Sequence, residues 1–168
     1  MIVVSDTSPL NYLVLISADW VLPALFGQVP APPEVLKEMQ HIKAPAQVSA
    51  WAQYPPPWLD VRSPQGISSL PGLGPGESAA IALAQECQAA AILMDERDGT
   101  AVAKRLGLVV TSTIAILCLA SEKGLLSLPA AFAALGKTNF RGPSKLMEEL
   151  LLIDAARHAA DSKPEPGS

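Results

Sequence analysis

The chain has 168 residues, 49% of them apolar and 17% charged, with a formal net charge of −4. That length suits one domain with its own hydrophobic core, and the acidic balance offers no bulk attraction to nucleic acid, so any RNA binding is expected to be weak or to need a partner. Every apolar run falls short of the roughly 18 residues of a membrane span, and Asp6 stands where a secretory leader carries basic residues, so a cytoplasmic protein without a membrane segment is expected.

Ile2 to Ser5 reads as a buried strand, apolar throughout as parallel strands tend to be. Ser8 is the expected N-cap of a helix from Pro9 to Ile16, and Asp19 to Phe26 makes a second helix stopped by Gly27. A strand over Gln28 to Pro30 leads into a helix from Pro32-Pro33 to about His41. A further helix spans Ala46 to Gln53, and Leu59 to Arg62 is an edge strand. Ser63 to Gly76 is rich in Pro, Gly and Ser and reads as a loop; its Gly72-Leu-Gly74-Pro-Gly76 lacks the Gly-Lys-Ser/Thr ending of a phosphate-binding loop. Glu77 to Gln88 is a helix with Ala80, Ile81, Ala84 and Cys87 at helical spacing. Strand 91–94, helix 100–106, strand 108–111 and helix 113–123 follow. This alternation predicts a parallel sheet covered by helices. Helices over 129–135 and 144–156 complete a domain spanning residues 1–156, and residues 157–168 form a polar tail expected to be disordered. Cys87 and Cys118 lie in apolar helical patterns and read as reduced core residues.

Carboxylates recur where apolar runs end. Asp6 closes the first strand, Glu38 follows Pro-Glu-Val-Leu-Lys, Glu77 opens a helix, and Asp95 ends the run through Met94 with Asp98 three residues on. Parallel strands gather their ends at one edge, where α/β folds bind ligands. Several carboxylates in one crevice repel each other unless a cation lies between them, which points to a hard divalent metal and to phosphate chemistry. Each acid also has a plain structural reading. Asp6 can cap the first helix, Glu77 can satisfy a helix dipole, and Arg97 can neutralise Asp95, Glu96 and Asp98. Asp95 is the first choice in that cluster, Asp98 the second, and Glu96 is expected to face solvent. Thr7 and Ser8 offer hydroxyls able to hold a second carboxylate or a water. Glu34 and Glu38 share a helix face, so either can reach the crevice, whereas His41 reads as a surface histidine and His158 belongs to the tail. Gly-x-Ser-x-Gly and zinc-finger spacings are absent from the sequence.

Val3-Val-Ser-Asp6-Thr-Ser-Pro-Leu10, Pro33-Glu-Val-Leu-Lys-Glu38, Gly74-Pro-Gly-Glu77-Ser-Ala-Ala-Ile81, Ile92-Leu-Met-Asp95-Glu-Arg-Asp98 and Ala103-Lys-Arg-Leu-Gly107-Leu-Val-Val-Thr111 occur in that order. Together they resemble the PIN-domain ribonucleases, and within them the toxin-like proteins related to VapC, over about residues 1 to 150. The resemblance implies an α/β, PIN-like (Rossmann-like) three-layer sandwich with a central parallel β-sheet flanked by helices. It implies a ribonuclease dependent on Mg²⁺ or Mn²⁺, a homodimer, and an antitoxin that blocks the site. Carried over by position, Asp6, Glu38, Glu77 and Asp95 match the catalytic acids, and Asp6, Glu77, Asp95 and the nearby Asp98 are the implied metal ligands. Two rival readings stand beside the nuclease. One is a non-catalytic PIN-like module that binds a partner protein or RNA. The other is a Rossmann-like phosphotransfer enzyme with Asp6 as nucleophile, against which Ser8 occupies the place of the second Asp that haloacid-dehalogenase enzymes need.

Overall fold

Val3, Val4 and Ser5 are wholly buried, and this enclosure on both faces is what an unbroken apolar strand records. In the computed structural model of the chain they form β1 (Val3–Ser5), which pairs in parallel with β4 (Ala91–Leu93), and β4 pairs in parallel with β5 (Val110–Thr111). A second parallel pair joins β2 (Val29–Ala31) to β3 (Leu59–Val61), and β2 lies alongside β1. The structure describes residues 1–66, 69–162, 164 and 166–167. The predicted loop at 67–68 and the predicted tail at 163, 165 and 168 lie outside the described residues.

The helices of the first half are α1 (Thr7–Leu15), α2 (Val21–Phe26), α3 (Pro33–Met39), α4 (Ala46–Gln53), α5 (Pro75–Glu86) and α6 (Arg97–Arg105). They flank the parallel strands as the α/β three-layer sandwich predicts. The central packing is that of α5 on the sheet. Its Ala80 and Ala84 are short enough to let the helix backbone approach β1 and β4, and with Ile81 and Leu83 they enclose Val4, Ile92, Met94 and Ala103. Contacts divide the chain into two compact units, residues 1–113 and 114–168. The second contains the rest of α7 (Thr113–Glu122), α8 (Leu128–Gly136) and α9 (Ser144–Asp161). Within it, the buried Ser121 donates to Asp154 Oδ1 at 2.5 Å, and Arg157 holds the same oxygen at 2.6 Å.

Several predicted boundaries move, for identifiable reasons. α1 starts at Thr7 with Asp6, not Ser8, in the N-cap position, so Pro9 sits inside the first turn, where its missing N–H costs no hydrogen bond. α5 starts at Pro75, which shortens the predicted loop and places Glu77 two residues deeper in the first turn. α6 starts at Arg97 rather than Thr100, so Asp98 belongs to a helix and not to a turn. α9 runs to Asp161, through residues assigned from sequence to the tail, because Arg157 and His158 both reach Asp154 from its last turns. Cys87 and Cys118 are free and half-buried. No helix among the described residues is long and apolar enough to cross a membrane.

Candidate active site

The Asp6 N–H donates to the Leu93 carbonyl at 2.9 Å, one step beyond the β1–β4 register of Ser5 with Leu93. That bond fixes Asp6 at the strand end where α/β folds place ligands. Although Asp6 occupies the N-cap position of α1, its side chain makes no capping bond, so the structural role left open by the sequence is not the one it performs. The residue is 2% exposed and its Oδ1 has no hydrogen-bond partner. Burial is the largest influence on its acidity and pushes its pKa from 3.8 up to about 7; the Thr7 N–H pulls the other way, and the charges of Glu77, Glu38 and Glu96 push further up.

Glu38 reaches the same place from α3. Thr7 Oγ1 donates to its Oε2 at 2.6 Å and the Gly76 N–H donates to its Oε1 at 2.9 Å. Thr7 thus holds a second carboxylate beside Asp6, as expected for the hydroxyls flanking that residue. Gly76 admits this approach only because it lacks a side chain, since a Cβ there would lie 2.5 Å from Glu38 Oε1. Glu77, in the first turn of α5, has its Oε2 buried without a partner, and a Cβ on residue 99 would stand 2.5 Å from that oxygen. Its pKa is raised, first by burial; a backbone bond at Gly74 opposes this, and Glu96, Glu38 and Asp98 add to it.

Asp95 follows β4 and turns to the start of α7. It accepts from the Thr113 N–H at 2.8 Å and from Thr113 Oγ1 at 2.6 Å, and Thr113 is wholly buried. Burial raises its pKa, the two Thr113 bonds lower it, and Glu96 raises it again. Asp98 is exposed in the first turn of α6, close enough for its charge to reach Glu77.

Glu96 is exposed, as expected, while Ser8 Oγ donates to its Oε1 at 3.3 Å and its charge acts on Asp6, Glu77, Asp95 and the Tyr12 phenol. It stands at the rim of the carboxylate group rather than facing away. Tyr12 was overlooked from sequence; burial and then the charges of Asp95 and Glu96 push its pKa up. Arg97 forms no ion pair with these acids among the described residues. Glu34 lines a neighbouring cavity instead. His41 is exposed, and its Nδ1 accepts the Lys43 N–H at 3.2 Å.

Among the described residues no three His, Cys, Asp or Glu side chains stand together at metal-holding distances. The hydroxyl and N–H donors of Thr7, Ser8, Gly76 and Thr113 hold the carboxylates apart, as mutual repulsion favours. The donor set still suits a hard divalent cation. It is all carboxylate oxygen, and Asp6 and Glu77 each keep one buried oxygen without a partner that a cation could take up in place of a proton.

The family model described as DUF3368, PIN domain, matches residues 2–154. No curated protein and no solved structure gives a significant match.

Proposed function

The chain belongs to the PIN-domain family, whose members are generally nucleases using divalent metals, and from that premise we propose that it is a metal-dependent endoribonuclease hydrolysing RNA phosphodiester bonds. The observation that carries this reading is Asp6, a buried strand-end carboxylate with an orphaned oxygen, within reach of the charges of Glu77, Glu38 and Glu96. Asp6 and Glu77 would hold one or two Mg²⁺ or Mn²⁺ ions, with lone pairs of Asp95 available behind them and Asp98 and Glu96 adding negative charge at the rim. Ions bound there neutralise the phosphate and acidify an attacking water.

The chain's own residues do the rest. Thr7 and the Gly76 N–H fix both oxygens of Glu38, which leaves its remaining lone pairs aimed and able to take a proton from the attacking water. Thr113 holds both oxygens of Asp95 and so fixes that carboxylate at the end of β4. The attacking oxygen bonds to phosphorus as the ester oxygen leaves in line. Because the chain is acidic overall, the RNA must be drawn in by this locally neutralised site. The toxin role, an antitoxin partner and a homodimer rest on the resemblance to VapC-like proteins, and a cytoplasmic location is proposed alongside them.

The test compares wild type with Asp6→Asn on labelled RNA in Mn²⁺, in Mg²⁺ and in EDTA. Cleavage by wild type is expected in either metal and not in EDTA, with the variant slower by on the order of 10²-fold or more. Equal cleavage by both proteins would remove Asp6 from the site.

A further inference from the structure

A cavity of about 210 Å³ lies behind Gly74, with Glu34, Leu73, Pro75, Ser78 and Ala79 in its walls. It is smaller than the roughly 300–1,000 Å³ of sites for drug-sized ligands and suits a single flat ring system. Leu73, Pro75 and Ala79 supply apolar walls. Glu34 supplies a carboxylate to the wall, and its Oε2 is buried with no hydrogen-bond partner, so the group gains if it turns to meet a donor brought into the cavity. Ser78 is buried, and its Oγ accepts the Leu70 N–H at 3.2 Å, which leaves its own hydroxyl proton to donate.

The cavity adjoins the carboxylate group. Gly74 is the shared wall, since a Cβ there would stand 3.8 Å from Glu77 Oε1 and 4.0 Å from Glu38 Oε1. Glu34 and Glu38 are four residues apart on α3, about 6 Å along its axis. One helix therefore offers one acid to the cluster and another to the cavity, at a separation that a single nucleotide spans.

The geometry points to a nucleobase pocket that selects guanine next to the scissile phosphate, an inference that rests on the nuclease reading above. Single-stranded RNA is read through the Watson–Crick edges of its splayed bases. Guanine alone presents two adjacent N–H donors beside a carbonyl. A carboxylate takes both donors, and a hydroxyl gives to the carbonyl. Adenine and cytosine set a ring acceptor beside their amino group, which Glu34 would repel, and uracil has one donor between two carbonyls.

Two measurements test it on the full chain. Calorimetric titration in Mg²⁺ compares guanosine monophosphate with inosine monophosphate, which lacks only the amino group, for wild type and Glu34→Gln. Sequencing of fragments cut from a randomised RNA reads the base beside each cleaved bond. We expect wild type to bind the guanosine nucleotide about tenfold or more tightly than the inosine one, to cut beside guanosine, and to lose both preferences in Glu34→Gln. A merely structural Glu34 would change stability and leave base preference alone. Equal binding of the two nucleotides, or a preference that survives in Glu34→Gln, overturns the pocket. Selective binding without selective cutting overturns its position beside the scissile phosphate. Selective binding with no cleavage of any RNA removes the nuclease reading and leaves the guanine pocket standing.

Discussion

Asp6 holds its proton to about pH 7 in the folded chain but only to its ordinary 3.8 when unfolded. Below both values the two states bind the same proton and the group is neutral to stability. Between them the unfolded state ionises first, so stability falls as pH rises from about 4 to 7 and then levels off, a loss of up to about 4 kcal/mol. Metal-free Asp6→Asn should therefore be more stable than wild type at pH 8, by about 1–3 kcal/mol in urea unfolding, and nearly equal to it at pH 4. A variant less stable at pH 8 would mean that the orphaned oxygen is satisfied in solution. Gly76 and Gly99 make a complementary case. The atoms their missing Cβ groups would strike are the far ends of Glu38, Glu77 and Met94, which swing aside more easily than backbone moves. Gly76→Ala and Gly99→Ala should melt within about 1 kcal/mol of wild type, yet lose on the order of 10²-fold in RNA cleavage through displaced carboxylates. Cleavage at the wild-type rate by both would show that the positions of Glu38 and Glu77 do not matter.

Among the elements, the junction of β5 with α7 depends on one side chain. Thr113→Val removes the hydroxyl that donates to Asp95 Oδ2 and strands a half-buried carboxylate oxygen. Destabilisation of about 1–3 kcal/mol in urea is expected, with Thr113→Ser recovering most of it. Unchanged stability would indicate that water replaces the hydroxyl there. The sequence made the strand ends legible because β1 and β4 are apolar runs stopped by acids, and parallel pairing then brings Asp6 and Asp95 to one edge. It left helix starts less legible. With α6 expected from Thr100, Glu96 was free to face solvent; with α6 starting at Arg97, its backbone is held and its side chain meets Ser8. The choice between Glu34 and Glu38 stayed open for a similar reason. Residues one turn apart share a face, and only the path of the 73–76 segment decides that Glu38 meets the Gly76 N–H while Glu34 lines the cavity.

On the scale of the whole molecule, every acid of the cluster lies in the unit spanning residues 1–113, and three of them are pushed toward neutrality by burial. A divalent cation must displace the proton that Asp6 otherwise keeps, so its binding competes with protonation. Mn²⁺ at a hundred times its Kd should stabilise wild type by about 2.7 kcal/mol at pH 8, seen as a raised Tm, and by clearly less at pH 5. Asp6→Asn should show little of that gain at either pH. An equal rise in wild type at both would detach the metal from these carboxylates. The pairing of β1 with β4 has a further result in time. Asp6 and Glu38 are made early, but the strand that positions Asp6 finds its neighbour only at Ala91–Leu93, and Asp95 finds its anchor only at Thr113. A nascent chain halted before Thr113 can already pair β1 with β4 and seat Glu38 between Thr7 and Gly76, yet it leaves Asp95 without its anchor, so the carboxylate group is completed last at its fourth acid.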